Sequence, residues 1–190
     1  MKIGVYGGSF NPIHFGHIGL AEWVVNNTDL DEVWLMLSPN NPLKDKSILA
    51  DEQERLAAAK EAIAESGYRV SDATLSDNGE RGAYNDKRIV VSDFEFHLPR
   101  PTYTANTLRA LTQEYPQHEF TLIIGEDNLA IFDKWREYQY ILDNYRILVY
   151  PRHGYNSYPI LTAPNLQVLS NAPYFDISST EIRNGLREKK

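Results

Sequence analysis

Residues 2–37 decide the fold. They read Lys2-Ile3-Gly4-Val5-Tyr6, then Gly7-Gly8-Ser9-Phe10-Asn11-Pro12-Ile13-His14-Phe15-Gly16-His17, and after a further stretch Glu32-Val33-Trp34-Leu35-Met36-Leu37. The first and last pieces are short apolar runs ended by glycines or by Ser38-Pro39-Asn40-Asn41-Pro42, as expected of buried strands. Between them Ile18, Ala21, Trp23, Val24 and Val25 follow helical spacing, which predicts a helix over about 15–27. Strand, helix and strand over so short a span make a βαβ unit, and such a unit implies a parallel sheet with a right-handed crossover.

The same alternation continues outward. Asp51 followed by Glu54 has capping-box spacing and opens a helix with Leu56, Ala59, Ala62 and Ile63 on its apolar stripe. Strands are expected over Arg88–Phe96, Phe120–Ile124, Arg146–Tyr150 and Leu166–Leu169. Helices are expected from Ala105 to Glu114, as short pieces near Asn128–Phe132 and Tyr138–Leu142, and after Ser178-Ser179-Thr180-Glu181. Residues 66–87 are polar and rich in Gly, Ser, Asp and Asn, and read as a surface insertion or a partly helical excursion. With no repeat and no linker, residues 1–190 read as a single domain. The fold class is α/β, a doubly wound, Rossmann-like domain whose mainly parallel sheet has about five to six strands flanked by helices. In such sheets ligands bind beyond the carboxyl ends of the strands.

Composition bounds the function. The chain has 190 residues, 42% hydrophobic and 24% charged, with a formal net charge of −7 and no cysteine. The acidic balance argues against a general nucleic-acid binder, so any phosphate site must be a local cluster of cations and backbone N–H groups. The absence of thiols removes disulfides and thiolate metal sites. No run approaches the roughly 20 apolar residues of a membrane helix, and Met1-Lys2 leads directly into a strand rather than a signal peptide. A cytoplasmic protein without membrane or nucleic-acid partners is expected, and a homo-oligomer is left open.

Gly7 and Gly8, placed where the strand turns toward the helix, let a phosphate approach the backbone. His14 and His17, three apart at the helix start with Gly16 between them, should project their imidazoles from one face. Zinc coordination by this pair is disfavoured, because the helical zinc motif spaces its histidines at i and i+4. The Gly-x-x-x-x-Gly-Lys-(Ser/Thr) loop of P-loop enzymes does not occur. At the far end, Ser178 with Glu181 caps a helix whose first turn also carries Arg183, a guanidinium suited to an anion. Lys44 ends a proline-stiffened loop after the second strand, and Thr104 is the expected N-cap of the 105–114 helix.

These motifs together resemble the nucleotidyltransferase α/β-phosphodiesterase superfamily, whose signature Gly-Gly-x-Phe-(Asp/Asn)-Pro-x-His-x-Gly-His matches residues 7–17. Ile177-Ser178-Ser179-Thr180-Glu181-Ile182-Arg183 resembles the element that closes its ATP site. Thr102-Tyr103-Thr104, Gly125-Glu126-Asp127, Trp135 and the loop ending in Lys44 are similar to elements of bacterial nicotinate-nucleotide adenylyltransferases. The matches run from residue 4 to residue 187, with residues 66–87 the departure.

The resemblance implies an enzyme of NAD biosynthesis that joins nicotinate mononucleotide and ATP to give deamido-NAD and pyrophosphate, with Mg²⁺ carried on ATP. It implies His14, His17, Lys44 and Arg183 as the catalytic set. ATP would contact Gly7, Gly8, Ser9, Phe10, His14, His17, Gly125, Asp127, Ile177, Ser178, Ser179 and Arg183. The acceptor would contact Lys44, Tyr103, Thr104, Trp135, Arg136 and Arg152, and no metal site on the protein itself is implied. Within the superfamily, phosphopantetheine adenylyltransferases usually carry Thr where His14 stands. Cytidylyltransferases usually end in an Arg-Thr-x-Gly-type element, and archaeal-type nicotinamide-mononucleotide enzymes favour Gly-Arg-Phe-Gln-Pro. The alternatives are transfer to nicotinamide mononucleotide or another phosphate acceptor and, from a different class, a non-catalytic nucleotide-binding module.

Overall fold

A computed structural model of the chain describes residues 1–39, 51–66, 88–155, 163–175 and 182. Its elements, in chain order, are β1 (Lys2–Gly8), α1 (Phe15–Asn27), β2 (Glu32–Leu37), α2 (Glu52–Glu65) and β3 (Arg88–Ser92). After a 3₁₀ turn (Phe94–His97) come α3 (Thr104–Glu114), β4 (Glu119–Gly125), α4 (Glu126–Leu129), a second 3₁₀ turn (Phe132–Lys134), α5 (Tyr138–Asn144), β5 (Arg146–Tyr150) and β6 (Leu166–Val168).

The six strands form one sheet in the order β3-β2-β1-β4-β5-β6, every neighbouring pair parallel. The chain winds outward from β1 in one direction, returns, and winds outward from β4 in the other. The order therefore reverses between β1 and β4, the switch point where such sheets leave a crevice at their carboxyl edge. Parallel strands with helices on both faces are buried on both sides, which explains why β2 reads as an unbroken apolar run and is buried throughout. One core layer packs α1 and α2 on the sheet through residues such as Val24, Val25, Leu35 and Ile63. The other packs α3 and α5 on the opposite face through Trp34, Leu108, Leu122 and Ile141.

The predicted α/β architecture stands, and α1 has the expected bounds. Four local expectations need correction. First, the strand predicted over Arg88–Phe96 stops at Ser92, where its ladder to β2 stops: Met36 is the last residue of β2 paired with it, against Ser92. The Ser92 hydroxyl then accepts from the Phe94 N–H (3.3 Å) and the Asp93 carbonyl from the Phe96 N–H (2.8 Å), winding the chain into a 3₁₀ turn. Second, the N-cap of α3 is Tyr103, not Thr104. Tyr103 is extended (φ −120°, ψ 144°) and its carbonyl accepts from Asn106 and Thr107, so the helix starts one residue early. Third, the short helix placed over Asn128–Phe132 begins at Glu126 directly off β4, and Phe132 opens the second 3₁₀ turn. Fourth, Gly7 and Gly8 belong to β1, paired with Met36 and Leu37, and the turn follows them. Of the helix expected after Ser178, only Ile182 is described, and it is helical. The insertion expected over 66–87 lies outside the described residues from 67 onward, Ser66 being the C-cap of α2.

Candidate active site

Between β1 and α1, the sequence Ser9-Phe10-Asn11-Pro12-Ile13-His14 makes the turn. Phe10 sits in the left-handed region (φ 43°) yet is buried, its ring edge-on to Tyr6 (5.6 Å) and to His17 (5.0 Å). A phenylalanine in that conformation costs on the order of 1 kcal/mol, offset here by burial of the ring. The result is a turn wedged from beneath, with its far end at the helix start.

His14 is the N-cap of α1, and the His14 and His17 rings lie 3.7 Å apart, tilted by 30°. The His17 Nδ1 accepts the backbone N–H of His14 (3.3 Å). A ring nitrogen that accepts carries no proton, so this contact selects the tautomer with the proton on Nε2 of His17. That N–H and the amino end of α1 form an electropositive corner suited to an anion.

Beneath the turn lies a residue that the sequence does not advertise. Arg55 of α2 is 2% exposed, and its guanidinium donates to the carbonyls of Ser9 (2.6 Å), Ser38 (2.9 Å) and Pro39 (3.2 Å). It therefore ties the turn between β1 and α1 to the loop that leaves β2. Burial lowers its pKa, but an arginine keeps its proton at neutral pH.

Two cavities open along the carboxyl edge of the sheet. The first, of about 390 Å³, is lined by His14, His17, Asp127, Arg152, Tyr174 and Phe175 among others. Arg152 Nε lies 3.6 Å from Asp127 Oδ1, an ion pair too long for a good hydrogen bond, and among the described residues neither of these two buried atoms has a hydrogen-bond partner. The Glu126 carboxylate accepts the Arg152 backbone N–H (3.0 Å), fixing the end of β5 against α4. Gly125 is required here: a Cβ would collide with Asp127 Oδ1 and press within 3.1 Å of the Tyr150 ring.

The second cavity, of about 250 Å³, is lined by Gly7, Gly8, Met36, Tyr103, Thr104 and Trp135 among others. The Trp135 ring packs on Phe132 (5.0 Å) and is half-buried, as its polar sequence neighbours suggest. The Arg136 guanidinium lies over the Tyr103 ring at 4.9 Å. Glu95, 8% exposed, also lines this cavity and accepts from the Thr107 hydroxyl (2.7 Å). Burial pushes the Glu95 carboxyl above the ordinary glutamate value, partly opposed by hydrogen bonds from Thr107 and Ser38.

The structure thus brings His14, His17 and Asp127 together in one cavity, and Gly7, Gly8, Tyr103, Thr104, Gly125, Trp135 and Arg136 in the other. Arg152 lines the first cavity and is not grouped with the acceptor set in which the sequence placed it. Ser9 and Phe10 are buried and line neither cavity; they shape the turn. Lys44, Ile177, Ser178, Ser179 and Arg183 lie outside the described residues. Sequence reading missed Arg55, Glu95, Tyr6 and Tyr150. For the glutamate a signal existed: a single carboxylate inside Phe94-Glu95-Phe96 is out of place in a buried strand.

A six-stranded parallel sheet with two cavities at the carboxyl edge around its switch point, one holding a histidine pair at a helix start, defines a Rossmann-like nucleotide-binding protein. The chain belongs to the cytidylyltransferase-like family, whose model matches residues 5–185. Over its whole length it is 44% identical to a protein of Bacteroides fragilis and 43% identical to one of Flavobacterium johnsoniae, covering 84% and 89% of those proteins. Both are named as nicotinate-nucleotide adenylyltransferases. Among solved structures, it resembles the Plasmodium falciparum nicotinic acid mononucleotide adenylyltransferase complexed with NaAD. The TM-score is 0.71 at 19% identity, over 96% of this chain and 82% of that one, which establishes the likeness of fold.

Proposed function

We propose that this chain is an adenylyltransferase that joins nicotinate mononucleotide to ATP, giving deamido-NAD and pyrophosphate in NAD biosynthesis. The observation that carries the reading is the pair of adjoining cavities at the switch point, one lined by the His14–His17 pair and the other by Trp135 and the start of α3. One offers imidazoles and a helix amino end to a polyphosphate; the other offers an aromatic slot to a flat ring. The names of the full-length relatives support the choice of acceptor.

On this reading ATP occupies the first cavity, with its triphosphate at His14 and His17 and its ribose at Asp127. Arg152 orients Asp127 and adds positive charge beside the nucleotide. The acceptor occupies the second cavity, its pyridine ring on Trp135 and its carboxylate toward the amino end of α3 at Tyr103 and Thr104, with Arg136 beside it. Gly7, Gly8 and Gly125 lie on the acceptor side. Lys44, Ser178, Ser179 and Arg183 complete the phosphate site. Mg²⁺ carried on ATP would supply further neutralisation of its phosphate oxygens.

No protein nucleophile is needed, because the acceptor phosphate is already an anion. The residues position two anions in line and neutralise charge on the pentacoordinate transition state and the departing pyrophosphate. Pyrophosphate release from ATP and Mg²⁺, measured against a panel of mononucleotide acceptors, tests the reading. The expected result is a kcat/KM for nicotinate mononucleotide well above that for the nicotinamide form. A clear amide preference overturns the acceptor, and ATP binding with no pyrophosphate release from any acceptor overturns the enzyme.

A further inference from the structure

Among the described residues lining the two cavities, Tyr6 and Tyr150 are the two common to both. They stand at the carboxyl ends of β1 and β5, the strands on either side of β4, and meet across its end. Their rings lie 5.8 Å apart and nearly perpendicular, and their hydroxyl oxygens are 3.5 Å apart. Gly125 makes the meeting sterically possible, since it is the residue of β4 paired with Tyr150 and a side chain there would press on the Tyr150 ring. The pair is itself surrounded by site residues: the His17 ring is 6.3 Å from the Tyr6 ring, and the Arg152 guanidinium 5.4 Å from the Tyr150 ring.

The proposed reaction brings a nucleotide in one cavity into contact with an acceptor in the other. The bond that forms must therefore lie where the cavities adjoin, beside these tyrosines. Two hydroxyls carry two protons, and one is enough for the hydrogen bond between them. We propose that the transferred phosphoryl group lies against the Tyr6–Tyr150 pair and takes a hydrogen bond from the hydroxyl proton that the pair does not use internally.

The step balances without the phenols changing state. A lone pair on the acceptor phosphate oxygen forms the new bond to the α-phosphorus, and the bond from that phosphorus to the α,β-bridging oxygen breaks. The electron pair leaves with pyrophosphate, and no proton moves. The phenol donates a hydrogen bond to a non-bridging oxygen and remains a phenol throughout. Burial pushes both hydroxyls above the ordinary tyrosine range, so they stay protonated donors at any working pH. Neutral donors suit a place where two anions meet, because they contribute stabilisation without adding a charge that would hold pyrophosphate back.

The inference rests on the proposed reaction, and one set of variants separates the two. Wild-type turnover of ATP with nicotinate mononucleotide is the control; its absence sinks the functional reading and not the role of the tyrosines. Given that turnover, Tyr6→Phe/Tyr150→Phe should lower kcat by at least about tenfold, with KM for ATP and for the acceptor kept within about twofold. The reverse reaction, from dinucleotide and pyrophosphate, should fall by the same factor, as loss of a donor to a shared transition state requires. The single Phe variants should then show which hydroxyl faces the ligand, the other losing far less. A double variant that keeps kcat within about twofold overturns the inference, and so does a loss confined to KM. Should the double variant melt lower, kcat is read at a temperature where its circular dichroism matches wild type, and the same two thresholds apply.

Discussion

The two cavities lie side by side on one sheet edge, yet they are built on different physical principles. The first gathers titratable and charged side chains, with His14, His17, Asp127 and Arg152 on loops and helix ends around it. The second is walled by Met36, Tyr103, Leu108 and Trp135, with Lys134 and Arg136 also lining it and its one buried carboxylate satisfied by neighbouring hydroxyls. A site that must neutralise a polyphosphate spends its residues on donors that strengthen as charge develops. A site that must recognise a flat ring spends them on shape. The difference predicts that damage to the first appears in kcat and damage to the second in KM.

The largest effect is expected at His17. It lines the first cavity, and the bond that His14 N–H makes to Nδ1 leaves its proton on Nε2. Removing one such preorganised donor usually costs on the order of a hundredfold in kcat, and His17→Ala should do so with acceptor KM little changed. Pyrophosphate release under saturating ATP measures it. Near-wild-type kcat would remove His17 from the chemistry and blur the contrast between the cavities.

Trp135 should behave in the opposite way. Stacking of a flat heterocycle on an aromatic ring is worth about 1–3 kcal/mol by alanine substitution. Trp135→Ala should therefore raise acceptor KM by roughly tenfold or more, with kcat and ATP KM changed much less. Trp135→Phe should recover most of the loss. Initial-rate kinetics with each substrate varied in turn would decide, and an unchanged acceptor KM would mean that the ring does not bind there.

How much of this was legible in the chain follows from which signals are local. The βαβ opening and the histidine pair could be read because apolar period, glycines and helix start all fall within residues 2–37. Tyr103, Thr104 and Trp135 could be read from short motifs, and the structure gathers them in one cavity. Arg55 could not. In the sequence it is one more charged residue on an amphipathic helix, and its meaning lies in three carbonyls contributed by two distant loops. Tyr6 and Tyr150 read as ordinary strand aromatics, and only the sheet order, with β4 between their strands, brings them together. The overlong β3 failed for a related reason: alternation in Ser92-Asp93-Phe94-Glu95-Phe96 is a local strand signal, but a strand needs a neighbour, and the pairing with β2 stops at Met36.

Glu95, buried in the wall of the acceptor cavity, gives the smallest expected effect and the sharpest one to interpret. Burial raises its carboxyl pKa, so the folded chain holds this proton more tightly than the unfolded chain does. Its contribution is then most favourable below the ordinary glutamate value near 4.3 and is lost as pH rises through the folded value, beyond which an ionised carboxylate sits in the wall. The surface cluster of Lys2, Asp29 and Arg146 works in the other direction. Lys2 and Arg146 hold the Asp29 carboxyl well below its usual range, so its contribution is present at neutral pH and lost on acidification. The wild-type pH profile mixes the two, and the informative quantity is the difference between wild type and Glu95→Gln. The amide keeps an acceptor oxygen for Thr107 and cannot ionise. Wild type should therefore lose ground to the variant as pH rises from about 4 toward 7, by on the order of 1 kcal/mol. Denaturant unfolding at several pH values measures it, and a difference independent of pH would mean that Glu95 titrates alike in the folded and unfolded chain.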